Sequence, residues 1–137
     1  MINVPSERSL CTQLEEYLVS NGFQTFREVP LLSRRIDLLG VNDSEIVAVE
    51  LKVRDWRRAL QQALSNRLCA DRVYIALLNK YVHRVDVMWF RRFGVGVFAV
   101  DRDVHLILEA PYSKVIHPSL RRRVLSYVYN ESELSRL

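Results

Sequence analysis

Length, composition and charge restrict this chain of 137 residues to a narrow set of protein classes. At 16.1 kDa, with 49% apolar and 26% charged residues, it has the size of one globular domain, and we expect a single domain over residues 1–137. No apolar run approaches the roughly 20 residues of a membrane span, and the first ten residues lack the apolar core of a signal peptide, so we expect a cytoplasmic protein without a membrane partner.

The basic residues are mostly arginine, 17 of 20, and the net charge is +4. Guanidinium groups match phosphate geometry, so this bias favours a phosphate-rich partner, although a genome rich in arginine codons explains it equally well. The two cysteines and three histidines show no metal-ligand spacing. We therefore expect Cys11 and Cys69 to be small buried residues rather than zinc ligands.

The first half of the chain predicts a helix followed by three strands. The segment "SERSLCTQLEEYLVSNG" has an N-cap in Ser6, apolar residues at helical spacing and a stop at Gly22. "FQTFREV" alternates apolar and polar residues as a half-buried strand does. The strands "RRIDLLGV" and "EIVAVELKV" are joined by a polar turn around Asn42 and Asp43.

The second half predicts helices and strands in alternation. "DWRRALQQALSNRL" is an amphipathic helix with Asp55 as its cap and three leucines on one face, and "RVYIALL" is a buried strand. "KYVHRVDVMWFRRFG" predicts one helix ending at Gly94, "VGVFAV" and "VHLILE" predict a strand pair, and "HPSLRRRVLSYVYN" predicts the last helix. The whole order indicates an α/β fold with a mixed β-sheet flanked by helices.

Three ionised side chains, Asp37, Glu50 and Lys52, stand inside an apolar strand pair. Buried charges cost several kcal/mol each unless they are paired or bind a metal. Strand residues two apart share a face, so Glu50 and Lys52 point the same way. A four-residue turn after Val41 sets Asp37 opposite Glu50, and a two-residue turn sets it diagonally to Glu50 on the same face. Either register brings both carboxylates together with the lysine beside them.

Two carboxylates at cross-strand distance repel each other unless a cation lies between them. A hard divalent ion with oxygen ligands, Mg²⁺ above all, would satisfy both and would acidify a bound water. Lys52 would then orient the water or stabilise the developing negative charge. This is the chemistry of a metal-dependent phosphodiesterase, but a buried ion-pair network around Lys52 fits the spacing alone equally well.

These residues resemble the PD-(D/E)XK phosphodiesterase superfamily, which has the restriction endonuclease-like fold and includes archaeal Holliday junction resolvases. The match is Ile36-Asp37 followed, after a short turn, by Glu50-Leu51-Lys52, with isoleucine where the superfamily name has proline. The helix and strand that follow look like those of the RecB-like branch. The resemblance implies a restriction endonuclease-like αβββαβ core over roughly residues 6–78, with an added strand pair and C-terminal helix.

The resemblance also implies an activity, which is Mg²⁺-dependent hydrolysis of DNA phosphodiester bonds with Mn²⁺ as a substitute metal. Asp37, Glu50 and the backbone carbonyl of Leu51 would ligate the metal, and Lys52 would assist the attacking water. The expected partner is nucleic acid, DNA above all. A homodimer is possible, because cutting both strands usually needs two sites.

Two further residues are expected to support such a site. The RecB-like branch has a glutamine on the following helix, for which Gln62 is the best match and Gln61 the second. Many relatives add an acidic residue from the first helix. At about 100° per residue, Glu7 points along the apolar stripe toward the sheet, whereas Glu15 lies at its edge and Glu16 points nearly away from it. We choose Glu7, although the helix dipole also favours a carboxylate in the first turn.

Five arginines flank the proposed metal site in sequence. They would either contact a passing phosphate backbone or form a solvated basic rim. They are Arg34, Arg35, Arg54, Arg57 and Arg58. The alternative function is a catalytically silent nucleic-acid-binding or structural subunit on the same fold, because fold does not fix function. The sequence leaves open whether the substrate is single-stranded, duplex, branched or RNA.

Overall fold

The computed structural model describes residues 7–52 and 55–134. The predicted N-cap Ser6 and the predicted DNA-binding residue Arg54 lie outside these ranges. The described elements are α1 (Glu7–Ser20), β1 (Gln24–Leu31), β2 (Arg34–Val41), β3 (Ile46–Leu51), α2 (Trp56–Asn66), β4 (Arg72–Leu78), α3 (Asn79–Val82), α4 (Val87–Phe93), β5 (Gly96–Val100), β6 (Val104–Leu108) and α5 (Pro118–Leu134). None of the described helices is long and apolar enough to cross a membrane.

Six strands in the described part of the chain form one mixed sheet in the order β1 to β6. Strands β1, β2 and β3 are antiparallel neighbours, β3, β4 and β5 are parallel, and β6 returns antiparallel to β5. Every residue of β3 and β5 is buried. This is typical of parallel strands, which are covered on both faces. The predicted α/β fold with a mixed sheet flanked by helices is confirmed.

Two apolar clusters cover the two faces of the sheet. The α1 cluster packs buried residues of α1 against one face of β3, and it contains Leu10, Cys11, Leu14, Leu18, Leu38, Val47, Val49 and Leu51. The α2 cluster packs α2 and α5 against the other face, and it contains Ile36, Leu39, Ile46, Ala48, Ala59, Ala63, Cys69, Val124 and Val128. Both cysteines are free and buried, one in each cluster, which confirms their predicted role as small core residues.

The turn between β2 and β3 has the longer of the two predicted forms. Val41 pairs with Ile46, so counting outward along the ladder places Asp37 opposite Glu50. The side chain of Asn42 stabilises the turn, because its Oδ1 accepts the backbone N–H groups two and three residues further along the chain, each at 2.8 Å. A local polar turn therefore sets the register of the two carboxylates.

The predicted single helix before Gly94 is wrong, since the structure has two short helices there. Helix α3 ends at Val82, and α4 begins only after Asp86. The Asp86 side chain accepts the backbone N–H of Met88 at 2.9 Å, which is the hydrogen bond of a helix N-cap. An aspartate inside an apolar helical pattern thus begins a new helix.

Helix α2 begins at its predicted cap but buries a different face from the predicted one. Asp55 accepts the backbone N–H of Arg58. The fully buried residues of the helix are Ala59, Ala63 and Asn66, whereas its leucines are half-buried. Small residues on the contact face let the helix axis approach the sheet closely, and this brings the Asn66 side chain to the sheet.

We expect Asp55→Ala to lower the free energy of unfolding by about 1 kcal/mol, because it removes the hydrogen bond that begins α2. Asp55→Asn is the matched control, since asparagine caps helices about as well as aspartate. Urea unfolding of both variants measures the difference. Equal losses in both would show that the charge of Asp55, and not the capping hydrogen bond, stabilises α2.

Candidate functional site

The side-chain alternation of β2 is interrupted at Asp37. Residues two apart in a regular strand share a face, yet Ile36 lies in the α2 cluster and Leu38 in the α1 cluster. In the β1–β2 register the residue opposite Asp37 is Glu28, which has a positive φ of 53°. A positive φ outside glycine is strained backbone, and such residues cluster at functional sites. The strand pair therefore changes face at the predicted site.

Asp37 lines a cleft of about 170 Å³ between α1 and the sheet. Its described lining residues are Glu7, Arg8, Cys11, Arg27, Glu28, Asp37 and Leu51. The Asp37 Oδ2 accepts the backbone N–H of Leu51 at 2.8 Å, which fixes the carboxylate at the end of β3. Of the two candidate acids of the first helix, Glu7 lines this cleft, whereas Glu15 accepts a hydrogen bond from Arg27 Nε at 2.9 Å.

Glu50 is buried completely and contacts the opposite layer. Its Oε2 accepts a hydrogen bond from Asn66 Nδ2 at 2.8 Å. Its Oε1 is buried, makes no hydrogen bond to any described residue and lies 3.6 Å from Arg34 Nη1. Arg34 Nη2 donates to Asn66 Oδ1 and to the backbone carbonyl of Gln62, the latter at 2.6 Å. Arg34 and Asn66 thus hold Glu50 from the α2 side.

The electrostatics of Glu50 follow from this burial. Desolvation, and after it the negative charge of Asp37, raise the pKa of Glu50 to about 7, against the opposing effects of the Asn66 hydrogen bond, the Arg34 charge and the backbone N–H of Asp37. Asp37 is therefore close enough to act on Glu50, although the two side chains have different partners. A carboxylate with so high a pKa gains much from a further cation.

Lys52 lies immediately after the last residue of β3. Its Nζ is 3.8 Å from Glu7 Oε1, so it contacts the α1 side, whereas Glu50 contacts Asn66 of α2. These contacts therefore contradict the prediction that Glu50 and Lys52 point to the same face of the sheet. Because β3 ends at Leu51, strand alternation no longer directs the side chain of Lys52.

The donor set limits the metals that this site could hold. Within residues 7–52 and 55–134, no group of three or more His, Cys, Asp or Glu side chains is arranged around a metal position. The predicted donors are two carboxylates, Asp37 and Glu50, and the backbone carbonyl of Leu51. Hard oxygen donors in small number suit Mg²⁺, which keeps several waters. The Oε1 of Glu50, which has no hydrogen bond among the described residues, fits an added cation.

The helix residue that contacts the site is Asn66, which sequence reasoning missed. The predicted Gln62 lies one turn earlier on α2, where its backbone carbonyl accepts from Arg34; its side-chain Oε1 is buried and has no hydrogen-bond partner among the described residues. Asn66 follows Ala59 and Ala63 at helical spacing on the buried face. A polar residue at helical spacing from two alanines was the sequence signal for this contact. The leucines of α2 pointed instead to a different buried face.

The predicted basic rim divides into one inward and three outward arginines. The sequence predicts Arg34 at the surface, but its guanidinium points inward to Asn66 and Glu50, because a buried carboxylate attracts the nearest cation. Arg35, Arg57 and Arg58 are exposed, and Arg35 Nη1 donates to the Glu28 carbonyl at 3.0 Å. These three remain available to an anionic partner.

Comparisons with known proteins show a shared fold. No protein-family model and no curated protein matches the sequence. Among solved structures the chain is similar to a protein of unknown function from Silicibacter pomeroyi, with a TM-score of 0.72 and 18% identity over 98% of this chain and 94% of that one. It is also similar to a repair endonuclease from Pyrococcus abyssi, with a TM-score of 0.48 and 19% identity over 74% of this chain and 49% of that one.

We expect stability to decrease as the pH rises from about 4.5 to about 7. The folded pKa of Glu50 is about 7, above the ordinary value of 4.5, so the folded state keeps a proton that the unfolded state has lost. The stabilisation from the Glu50 proton is fully present below the pKa of the unfolded state. It is lost as the pH rises through the pKa of the folded state and amounts to roughly 3 kcal/mol in all.

Urea unfolding of the wild type and of Glu50→Gln, at pH 5 and pH 8, measures this contribution as a difference. In Glu50→Gln the free energy of unfolding should fall much less between pH 5 and pH 8 than in the wild type. In Glu16→Gln, a change at an exposed position on α1, it should fall as in the wild type. Parallel pH profiles in all three proteins would contradict the assignment.

Proposed function

We propose that the protein is a Mg²⁺-dependent nuclease that hydrolyses DNA phosphodiester bonds at a site formed by Asp37, Glu50 and Lys52. The observation that carries the proposal is the state of Glu50. Its carboxylate is buried, Glu50 lies opposite Asp37 in the register of β2 and β3, and one of its oxygens makes no hydrogen bond to a described residue. A structural ion pair would normally satisfy both oxygens of a buried carboxylate.

Each residue of the site has a distinct proposed task. Asp37, Glu50 and the Leu51 carbonyl would hold the metal, and Mg²⁺ when bound supplies a more acidic water and positive charge near the reacting phosphate. The Leu51 N–H keeps the Asp37 carboxylate in place at 2.8 Å. Lys52, 3.8 Å from Glu7, supplies a cation to stabilise negative charge on the phosphate oxygens.

The elements that carry Asp37 and cover Glu50 also carry exposed cations that suit an extended polyanion. The exposed Arg35, Arg57 and Arg58 lie on the strand and helix that flank the site. Contacts from such side chains to phosphates give sequence-independent, salt-dependent affinity. The protein would therefore bind DNA through its backbone and position one phosphate at Asp37.

One observation favours a second function, that of a catalytically silent nucleic-acid-binding or structural subunit. Arg34 lies 3.6 Å from Glu50 Oε1, and Asn66 donates to Oε2, so the charge of Glu50 is already partly compensated from the α2 side. Under this function Glu50 would only fasten α2 to the sheet. The two functions predict different responses to Mg²⁺.

We expect the purified protein to cleave plasmid, single-stranded or four-way-junction DNA with Mg²⁺ or Mn²⁺ and not in EDTA. Asp37→Asn and Lys52→Gln should lower the rate at least about 100-fold, because the first removes a charged ligand of the metal and the second removes the cation that stabilises the reacting phosphate. The matched controls are Asp43→Asn and Lys114→Gln, which change an exposed acid and an exposed lysine outside the site and should cleave as the wild type does.

Thermal unfolding with and without Mg²⁺ provides an independent readout. Ligands that bind the folded state raise the melting temperature, so Mg²⁺ should stabilise the wild type and should stabilise Asp37→Asn much less. The absence of both cleavage and Mg²⁺-dependent stabilisation, together with retained salt-sensitive DNA binding, would favour the silent binding protein.

A further inference from the structure

A second concave surface lies at the carboxyl ends of the central parallel strands. It is a groove of about 430 Å³, whose described lining residues are Trp56, Leu77, Tyr81 and Arg84. Clefts of about 300–1,000 Å³ are typical of sites for small ligands. In sheets with parallel strands, ligands bind in crevices at this end of the strands.

The groove opens where the two apolar layers meet. Trp56 packs against the α2 cluster and Tyr81 against the α1 cluster, and Leu77 lies near the end of β4. The backbone N–H of Lys52 donates to the carbonyl of Ala76, the neighbour of Leu77, at 3.1 Å. The groove and the proposed nuclease site therefore lie at the same end of the sheet.

Cationic side chains surround the two aromatic walls. The Arg57 guanidinium lies 5.3 Å from the centre of the Trp56 ring. Lys80 Nζ and the Arg84 guanidinium each lie 5.1 Å from the centre of the Tyr81 ring. Aromatic faces combined with arginine and lysine are the composition with which proteins bind single-stranded nucleic acid.

Acidic residues close to the groove in sequence are occupied as helix caps. Asp55 accepts the backbone N–H of Arg58, and Asp86 accepts that of Met88. Among the described lining residues of the groove Arg84 is a cation and none is acidic, and Arg57 and Lys80 lie against its two aromatic rings. Its charge is therefore complementary to a phosphate backbone.

We propose that this groove binds an unpaired nucleotide of a single DNA strand. The base lies against Tyr81 and Trp56, and the flanking phosphates contact Arg57, Lys80 and Arg84. Because a paired base has both faces covered by its neighbours in the stack, a duplex cannot enter in this way. The inference deepens the proposed function and rests on it for one point only, that the bound strand continues to the cleft of Asp37.

The test is binding of a fluorescein-labelled single-stranded oligonucleotide and of the same sequence as a blunt duplex, by fluorescence anisotropy in EDTA. The single strand should bind at least about 10-fold more tightly than the duplex. Tyr81→Leu should weaken single-strand binding about 10-fold or more, because one stacked base is lost. Arg84→Gln should weaken it and should reduce the salt slope by about one phosphate contact.

Matched controls separate the groove from the general charge and surface of the protein. Tyr129→Leu removes a tyrosine that is 65% exposed on α5, and Arg123→Gln removes an exposed arginine of the same helix. Both should bind as the wild type does. The Arg84 change is at an exposed position and should leave the melting temperature unchanged, so it tests the groove even if Tyr81→Leu is destabilised.

Equal affinity for single strand and duplex, or variants of the groove that bind like the controls, would overturn the proposal. The readout is independent of catalysis, because EDTA prevents metal-dependent cleavage. Single-strand binding that depends on Tyr81 and Arg84, without any cleavage, would support the proposed groove and contradict the proposed nuclease activity. Cleavage that needs Asp37, with groove variants that bind normally, would support the proposed nuclease activity and contradict the proposed role of the groove.

Discussion

The burial of the Glu50 carboxylate is the constraint on which the arrangement of this molecule depends. An ionised group that is 0% exposed costs several kcal/mol unless partners compensate it. Arg34 at the start of β2 and Asn66 at the end of α2 both contact it. Asn66 reaches the sheet because Ala59 and Ala63 let α2 approach closely. Elements of regular secondary structure therefore fix the position of the carboxylate.

The candidate site combines side chains from both faces of one sheet. Asp37 and Lys52 are associated with α1 through the cleft and through Glu7, whereas Glu50 belongs to the α2 side. The interruption of alternation at Asp37 makes this possible, since a regular β2 would direct Asp37 and Glu50 to the same layer. The parallel strands end at this edge, and both concave surfaces open there.

Local signals predicted much of the fold, and tertiary contacts determined the rest. The polar turn at Asn42 set the hairpin register, and Asp55 marked the start of α2, because each depends on hydrogen bonds within a few residues. The inward direction of Arg34 could not be derived from its neighbours in sequence, since its partners come from α2. The change of face at Asp37 accompanies a positive φ at Glu28, and glutamate carries no sequence signal for that conformation.

The two cysteines have a practical consequence that follows from their placement in separate layers. Burial raises the pKa of Cys11 to about 11 and that of Cys69 to about 12, so both are almost entirely thiols at neutral pH. A thiol of this kind reacts with an alkylating reagent when its surroundings open to solvent. Cys11 therefore reports transient opening of the α1 layer and Cys69 that of the α2 layer. The two native cysteines are therefore internal probes, and the rates at which they are alkylated measure the opening of each layer separately.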